Sequence, residues 1–443
     1  MIFNFNDTKS KRKAKYVWEK VLLKLSNYFN DPKEIIKVPF AEIATYKLEI
    51  ASGAYLYPKE RAKEEIRNLA NIIYQIPEIK RCCSFGTVYK SVKHELQSEL
   101  SFVLEENSLR DFETVIESLF CKIRSSMKTY DFYFSLEGIE LTKVSIIDFG
   151  SIQILKFDRE QMNKVLRENN QADNAIHTEF VSKNFLDKVC IKCRCSGDFE
   201  TSKKLAELKA RETINYFRYM ICLLFHKRIH ENLLKINVVS ETYVDENQIL
   251  AREVTSGNLL LQWDSTRKTS EDFPIDRERV DELKDKLYFD IIVKILNSDS
   301  RTELEGCLLT AMYWSGEAQN EFDWDIAFLK YWTALECIFS CSKEDITSSL
   351  ARGISTLAAF SEYQFVKPDE INQIFKAVSN LYDKRSKIVH RGLRNSVNEV
   401  ELVEVCKYTS WTILSLMRLI SIGYQDTIQL HEQIVRLYEN RPI

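Results

Sequence analysis

Apolar positions change period several times before residue 275 and hold a single helical period after it. Residues 11–27 and 59–74 repeat apolar side chains at three- and four-residue intervals, with Val17, Val21, Leu22 and Leu25 on one stripe. That spacing predicts two helices. Between residues 132 and 157 the pattern shortens. Phe132-Tyr133-Phe134, residues 144–147 and residues 152–155 are aromatic or β-branched runs bounded by Glu137-Gly138 and Phe149-Gly150, and they predict strands. Residues 161–184 turn polar, with Arg167-Glu168-Asn169-Asn170-Gln171 at the centre, and are expected to form a linker. A strand over 188–195 follows, then Ser196-Gly197-Asp198, then a long amphipathic helix from about residue 202 to 233. Two or three further strands are expected in 235–264, where Ile236, Val238 and Val239 precede the run from Leu259 to Trp263.

After Pro274 only helical spacing remains, over 277–296, 303–318, 324–341, 346–360, 369–391, 398–422 and 427–438. Consecutive helices with no strand between them make a bundle. The expected fold class is α+β. A mixed α/β region occupies 1–184, an α/β segment continuous with it or separate occupies 185–275, and an all-α bundle occupies 276–443.

Composition narrows the picture. With 443 residues the chain exceeds the ~150 expected of one domain, and 45% hydrophobic residues suffice for real cores. Only 11 Gly and 7 Pro are present, which favours long helices over turn-rich β structure. The formal charge of −3 does not mark a nucleic-acid binder through its overall field, so any basic surface must be local. One basic run, residues 10–15, reads either as a nucleic-acid contact or as a solvated helix start. The 11 Cys show no disulfide-framework spacing. Apolar stretches are broken by charge before the ~18 residues a membrane span needs. A reduced, cytoplasmic protein without membrane association is expected.

The most informative segment runs from Lys367 to Gly392. Pro368 and Asp369 suit a helix start and Gly392 a helix end. Between them Ile371, Phe375, Val378, Tyr382 and Val389 recur at helical spacing, and Arg385 fills the one gap. At ~100° per residue Arg385 falls near the centre of the apolar stripe. A guanidinium there needs an anionic partner or a cleft. His390 follows five residues later, diverging by ~140° in a regular helix. Joint action then requires either that the helix loosen near Gly392 or that a second copy of the chain contribute. Lys384, Lys387, Arg391 and Arg394 add positive charge for phosphates. The structural alternative stands beside this: Arg385 bridges a buried carboxylate, with Glu336 the candidate, and His390 complements the helix dipole.

The wider pattern adds a resemblance. Residues 381–392, Leu-Tyr-Asp-Lys-Arg-Ser-Lys-Ile-Val-His-Arg-Gly, resemble the signature helix of the Apea-like branch of the HEPN superfamily. Residues 328–336, Phe-Leu-Lys-Tyr-Trp-Thr-Ala-Leu-Glu, are similar to that branch's aromatic helix ending in Leu-Glu, and residues 349–354, Ser-Leu-Ala-Arg-Gly-Ile, to the helix between them. Residues 189–206 and the long helix after them resemble the region upstream of such domains. The likeness covers residues 280–443 well and 185–275 loosely. Where the family often carries Asn, Asp or His directly after the Arg, this chain has Ser386.

The resemblance implies a HEPN helical bundle and metal-independent RNA cleavage at a homodimer interface or in a higher oligomer, with no cofactor. Arg385 and His390 would be catalytic. Ser386, Asp383 and Glu336 would support them, and Lys384, Lys387, Arg391 and Arg394 would bind RNA. His390 would act on the ribose 2′-hydroxyl, yielding a 2′,3′-cyclic phosphate. Such proteins serve in defence or as toxins, which suggests that the N-terminal region senses or restrains. The other class of reading is a catalytically silent HEPN module for RNA binding or assembly.

Other signals weigh less. Cys190, Cys193 and Cys195, with His226 and His230 later, invite a zinc reading. Strand alternation separates Cys190 from the other two, however, and no metal site is expected. Cys82-Cys83 is expected in or beside a strand, and Asp323 and Asp325 are expected to cap a helix. No phosphate-binding glycine loop, dinucleotide fingerprint or His-Glu-x-x-His occurs.

Overall fold

Local capping, apolar stripes and a few buried carboxylates organise the chain. A computed structural model describes residues 5, 7–26, 48–50, 54–56, 60–106, 108–167, 175–224, 235–236, 246–257, 259–265, 273–321, 323–339 and 346–440. These fall into two compact units: Met1–Tyr130 with Cys195–Leu205 and Glu253–Ser256, and Asp131–Arg194 with Ala206–Arg252 and Gly257–Ile443. The fold is mixed α+β with a C-terminal helical region. Residue 276, where the sequence pattern starts the bundle, lies inside the second unit.

In the first unit, helices α1 (Thr8–Ser26), α2 (Glu60–Tyr74), α3 (Pro77–Cys82), α4 (Phe85–Glu106) and α5 (Phe112–Ser125) accompany a hairpin of β1 (Leu48–Ile50) and β2 (Ala54–Leu56). One core holds Val17, Trp18, Ile66, Leu69, Ile73, Val88, Leu96, Leu119 and Ile123. Cys82 and Cys83 are buried at the end of α3 rather than in a strand, and Cys82 lies beside the strand end at Gly197, its carbonyl accepting from the Asp198 amide at 2.8 Å. Pro77 at the helix start and Ile79 in the core set that short helix.

Two buried carboxylates join α4 to α5. Glu95 takes salt bridges from Arg110 (3.1 Å) and Lys122 (2.5 Å), and Glu99 takes Arg110 Nε at 2.6 Å. A third, Asp198, stands at the starts of two helices. It accepts from the Ser84 amide (2.8 Å) and hydroxyl (2.6 Å) and from the Thr87 hydroxyl at the start of α4. It also accepts from the Thr201 amide (2.8 Å) in the first turn of α8 (Phe199–Leu224). Burial pushes its carboxyl up, but the hydrogen bonds from Ser84, Thr87 and Thr201 outweigh that and hold it below its ordinary value.

The second unit is built on a seven-stranded sheet. Strands β3 (Lys128–Glu137), β5 (Ile146–Asp148), β6 (Ile152–Lys156), β7 (Val189–Gly197), β9 (Glu246–Glu253) and β10 (Leu259–Ser265) lie in the order β10-β9-β3-β7-β6-β5, and β8 (Lys235–Ile236) pairs with β3. The β5–β6, β6–β7 and β9–β10 pairs are antiparallel. Outside that sheet, β4 (Ile139–Leu141) pairs parallel with β11 (Phe273–Ile275). The expected linker over 161–184 instead contains helices α6 (Arg159–Arg167) and α7 (Ala175–Phe185). The polar run obscured their apolar positions. Val165, Leu166, Phe180, Val181 and Phe185 pack on Tyr133, Leu155, Phe157 and Cys190 of the sheet. Cys190 therefore belongs to that cluster, while Cys193 and Cys195 are buried on the opposite face of β7.

The helical region comprises α9 (Arg277–Lys286), α10 (Phe289–Asn297), α11 (Glu303–Gln319), α12 (Trp324–Phe339), α13 (Ile346–Phe360), α14 (Ile371–Arg391), α15 (Glu399–Ser421) and α16 (Thr427–Glu439). The single helix expected over 277–296 is broken at Tyr288, whose φ of 51° no helix interior accommodates. Helix α13 approaches α12 through Gly353, where a Cβ would meet the Phe339 ring at 2.5 Å. Among the described residues no helix is long and apolar enough to cross a membrane.

Asp198→Ala removes the cap of α8 and orphans the Ser84 amide and hydroxyl at the start of α4, so it should lower stability by about 2 to 4 kcal/mol in urea unfolding of the full chain. Because the folded carboxyl lies below its unfolded value, this contribution is complete above about pH 4 and fades as pH falls through the folded value. The gap between wild type and variant should narrow in acid. A difference that stayed constant across that range would overturn the assignment.

Candidate functional site

Helix α14 carries the expected constellation. A 3-10 turn, Pro368–Glu370, leads into it, with the Lys367 amide donating to Glu370 Oε2 at 2.8 Å. The helix then runs without a break to Arg391 and stops at Gly392, whose φ of 63° is left-handed and whose amide donates to the Ile388 carbonyl at 3.1 Å. Ile371, Val378, Leu381, Tyr382 and Ile388 are buried. Val389, expected on that stripe, is 47% exposed. The buried spacing is 378, 381, 385, 388, so Ile388 takes the last place and Arg385 remains within the stripe.

Arg385 meets its charge partner on α12. Its Nη2 lies 2.9 Å from Glu336 Oε1 and 3.0 Å from Oε2, and the two side chains are only 20% and 21% exposed. Tyr382 donates its hydroxyl to Glu336 Oε1 at 3.0 Å. The Tyr382 ring lies 5.5 Å from the guanidinium carbon and packs edge-on to Trp332, centroids 5.1 Å apart. Arg385 Nε is buried without a hydrogen-bond acceptor among the described residues. Of the three expected supporting residues, Glu336 reaches Arg385. Asp383 instead pairs with Lys387 one turn on, at 2.5 Å, and the Ser386 hydroxyl has no hydrogen-bond partner among the described residues.

The expected phosphate-binding cations divide. Lys384 is held by Glu401 at 2.5 Å and Lys387 by Asp383. His390, Arg391 and Arg394 are exposed, and their side chains make no hydrogen bond or ion pair among the described residues. Since α14 stays helical through Arg391, His390 leaves the axis ~140° away from Arg385. Within one chain the two side chains diverge.

The end of the helix is fastened from outside. Asp323 caps α12, accepting from the Asp325 and Ile326 amides at 2.9 and 3.2 Å. Asp325, expected to cap as well, is buried. It accepts from the Ser396 amide (3.1 Å), the Val397 amide (2.9 Å) and the Ser396 hydroxyl (3.3 Å). Glu401 closes a capping box with Asn398 at the start of α15 and holds Lys384 too. Asp325 had no local signal in the sequence, because its partners lie 71 and 72 positions away.

Among the described residues no three His, Cys, Asp or Glu side chains group as metal ligands. His226 and His230 lie outside the described residues. Comparison of the chain with protein-family models, with curated proteins and with solved structures gave no match.

Glu336→Ala strands the Arg385 guanidinium and the Tyr382 hydroxyl between α12 and α14 and should cost about 2 kcal/mol. Replacing both Glu336 and Arg385 by Leu should recover most of that loss. A urea double-mutant cycle with no coupling would show that the pair does not act as a unit.

Proposed function

We propose that the chain is a metal-independent endoribonuclease of HEPN type, acting as a defence or toxin effector, with a site completed by a second copy. The observation that carries this reading is the set of unpaired groups at the end of α14: an exposed His390 imidazole beside Arg391 and Arg394, all without partners among the described residues. The resemblance of residues 328–336, 349–354 and 381–392 to the Apea-like HEPN motifs supports it. So does the unbroken helix, which leaves a second copy as the way to bring a His390 to an Arg385. Exposed Val389 and Leu393, beside His390 and Arg391, suit a surface that such a copy covers.

In this reading His390 takes the proton from a ribose 2′-hydroxyl as that oxygen attacks the adjacent phosphorus. His390 of the second copy protonates the departing 5′-oxygen, leaving a 2′,3′-cyclic phosphate and a 5′-hydroxyl. Arg385, with Nη2 committed to Glu336, offers Nη1 to the phosphoryl oxygens as negative charge grows. DNA, lacking the 2′-hydroxyl, is not a substrate.

One observation favours the alternative, a silent module for RNA binding or assembly: Arg385 already has its anionic partner in Glu336. Incubation of purified protein with bulk cellular RNA and tRNA in EDTA, wild type beside His390→Ala, separates the two. Nuclease action predicts EDTA-resistant cleavage with cyclic-phosphate ends, reduced about 10²- to 10⁴-fold in the variant. Equal cleavage by both proteins would remove His390 from the chemistry. RNA binding without cleavage by either would favour the silent module.

A further inference from the structure

Helix α1 places its cations where helix electrostatics disfavours them. Asp7 caps the helix, accepting from the Ser10 amide at 2.5 Å and the Ser10 hydroxyl at 3.0 Å. Lys9, Lys11, Arg12, Lys13 and Lys15 then fill the first turns, at the positive end of the helix dipole. Several of them sit three or four residues apart, where like charges repel. Lys11 is relieved by Glu113 at 2.7 Å. Lys9, Arg12, Lys13 and Lys15 make no salt bridge among the described residues and are exposed.

The opposite side of α1 is already used. Ala14, Val17, Trp18, Val21 and Leu22 are buried in the core of the first unit. At ~100° per residue the outward arc carries Lys15, Glu19, Arg12, Tyr16, Lys9, Lys20 and Lys13 in succession, and of these Lys20 is paired with Glu65 at 2.5 Å. The Tyr16 ring is 64% exposed in the middle of the cations. An interfacial membrane helix would need its apolar face free, and here that face is buried. Cations around an exposed aromatic ring match the backbone and bases of an unpaired nucleic acid strand.

We propose that this face of α1 is a docking surface for a single nucleic-acid strand. Lys9, Arg12, Lys13 and Lys15 hold backbone phosphates, and Tyr16 stacks on a base. The surface does not depend on the Arg385–His390 reading and supplies the local basic patch that the net charge of −3 conceals.

The test uses the full chain and a fluorescent single-stranded 2′-O-methyl oligoribonucleotide, which cannot be cleaved, with anisotropy read across a salt series. Replacing Lys9, Arg12, Lys13 and Lys15 together by Ala should weaken binding and flatten the log–log salt slope by about 2 to 3. Tyr16→Ala should weaken single-strand binding roughly tenfold while leaving the slope unchanged. Far-UV circular dichroism of both variants should match wild type, since the altered side chains are exposed. The proposal is overturned if wild type does not bind, if the fourfold variant keeps wild-type affinity and slope, or if the substitutions affect only binding to phosphatidylserine vesicles. A protein that binds in this way yet cleaves nothing would retain the surface and lose the nuclease reading.

Discussion

A guanidinium within an apolar helix stripe is the constraint around which the C-terminal region is arranged. Arg385 cannot sit between Leu381 and Ile388 without an acceptor, and Glu336 supplies one from the neighbouring helix. The same carboxylate takes the Tyr382 hydroxyl, and the Tyr382 ring lies against Trp332. Rotating α12 or α14 by one residue would leave a charge and a hydroxyl unpaired in an apolar setting. The interaction therefore specifies how two helices meet, whether or not it also serves a substrate.

The first unit solves a related problem with Asp198. Two helix starts expose amides that need acceptors, and one carboxylate serves both. Glu95 and Glu99 do comparable work between α4 and α5, each satisfied by Arg110 and Glu95 also by Lys122. In each case the acid reaches partners on a different element, so the contact acts on tertiary arrangement rather than on helix propensity.

Legibility in the sequence follows the range of the forces. The helices after residue 276 were readable because each keeps its period over ten or more residues, and Arg385 was visible as a gap in such a period. Glu336 is legible as a candidate partner because it is a carboxylate on the neighbouring helix that starts at Trp324. Helices α6 and α7 were not legible, since few apolar residues are enough to cover their part of the sheet and the polar residues dominate the count. Helices α4 and α5 are likewise not predicted by the sequence pattern, although Asp111 caps the latter. Val389 and Ile388 both continue a helical spacing, and only packing shows that Ile388 is the buried one. The cap that Asp198 gives α8 is local, but its hold on Ser84 and the hold of Asp325 on Ser396 lie beyond local pattern, since those partners are 114 and 71 positions away.

The fastening of the chain after Gly392 bears on what could be transplanted from this protein. Arg385 and His390 lie within six consecutive residues and look like a portable motif. Yet the turn after them is held by Asp325 from the start of α12, and the helix itself by Glu336 from the same element and Glu401 from the next. A fragment beginning after residue 340 would contain both motif residues and lack two of those three anchors. Grafted onto another helix, the pair would carry its letters without its geometry. Any unit inherited, swapped or engineered intact must therefore include at least the span from α12 through α15, and a shuffling event with a breakpoint inside it would separate the motif from the groups that hold it.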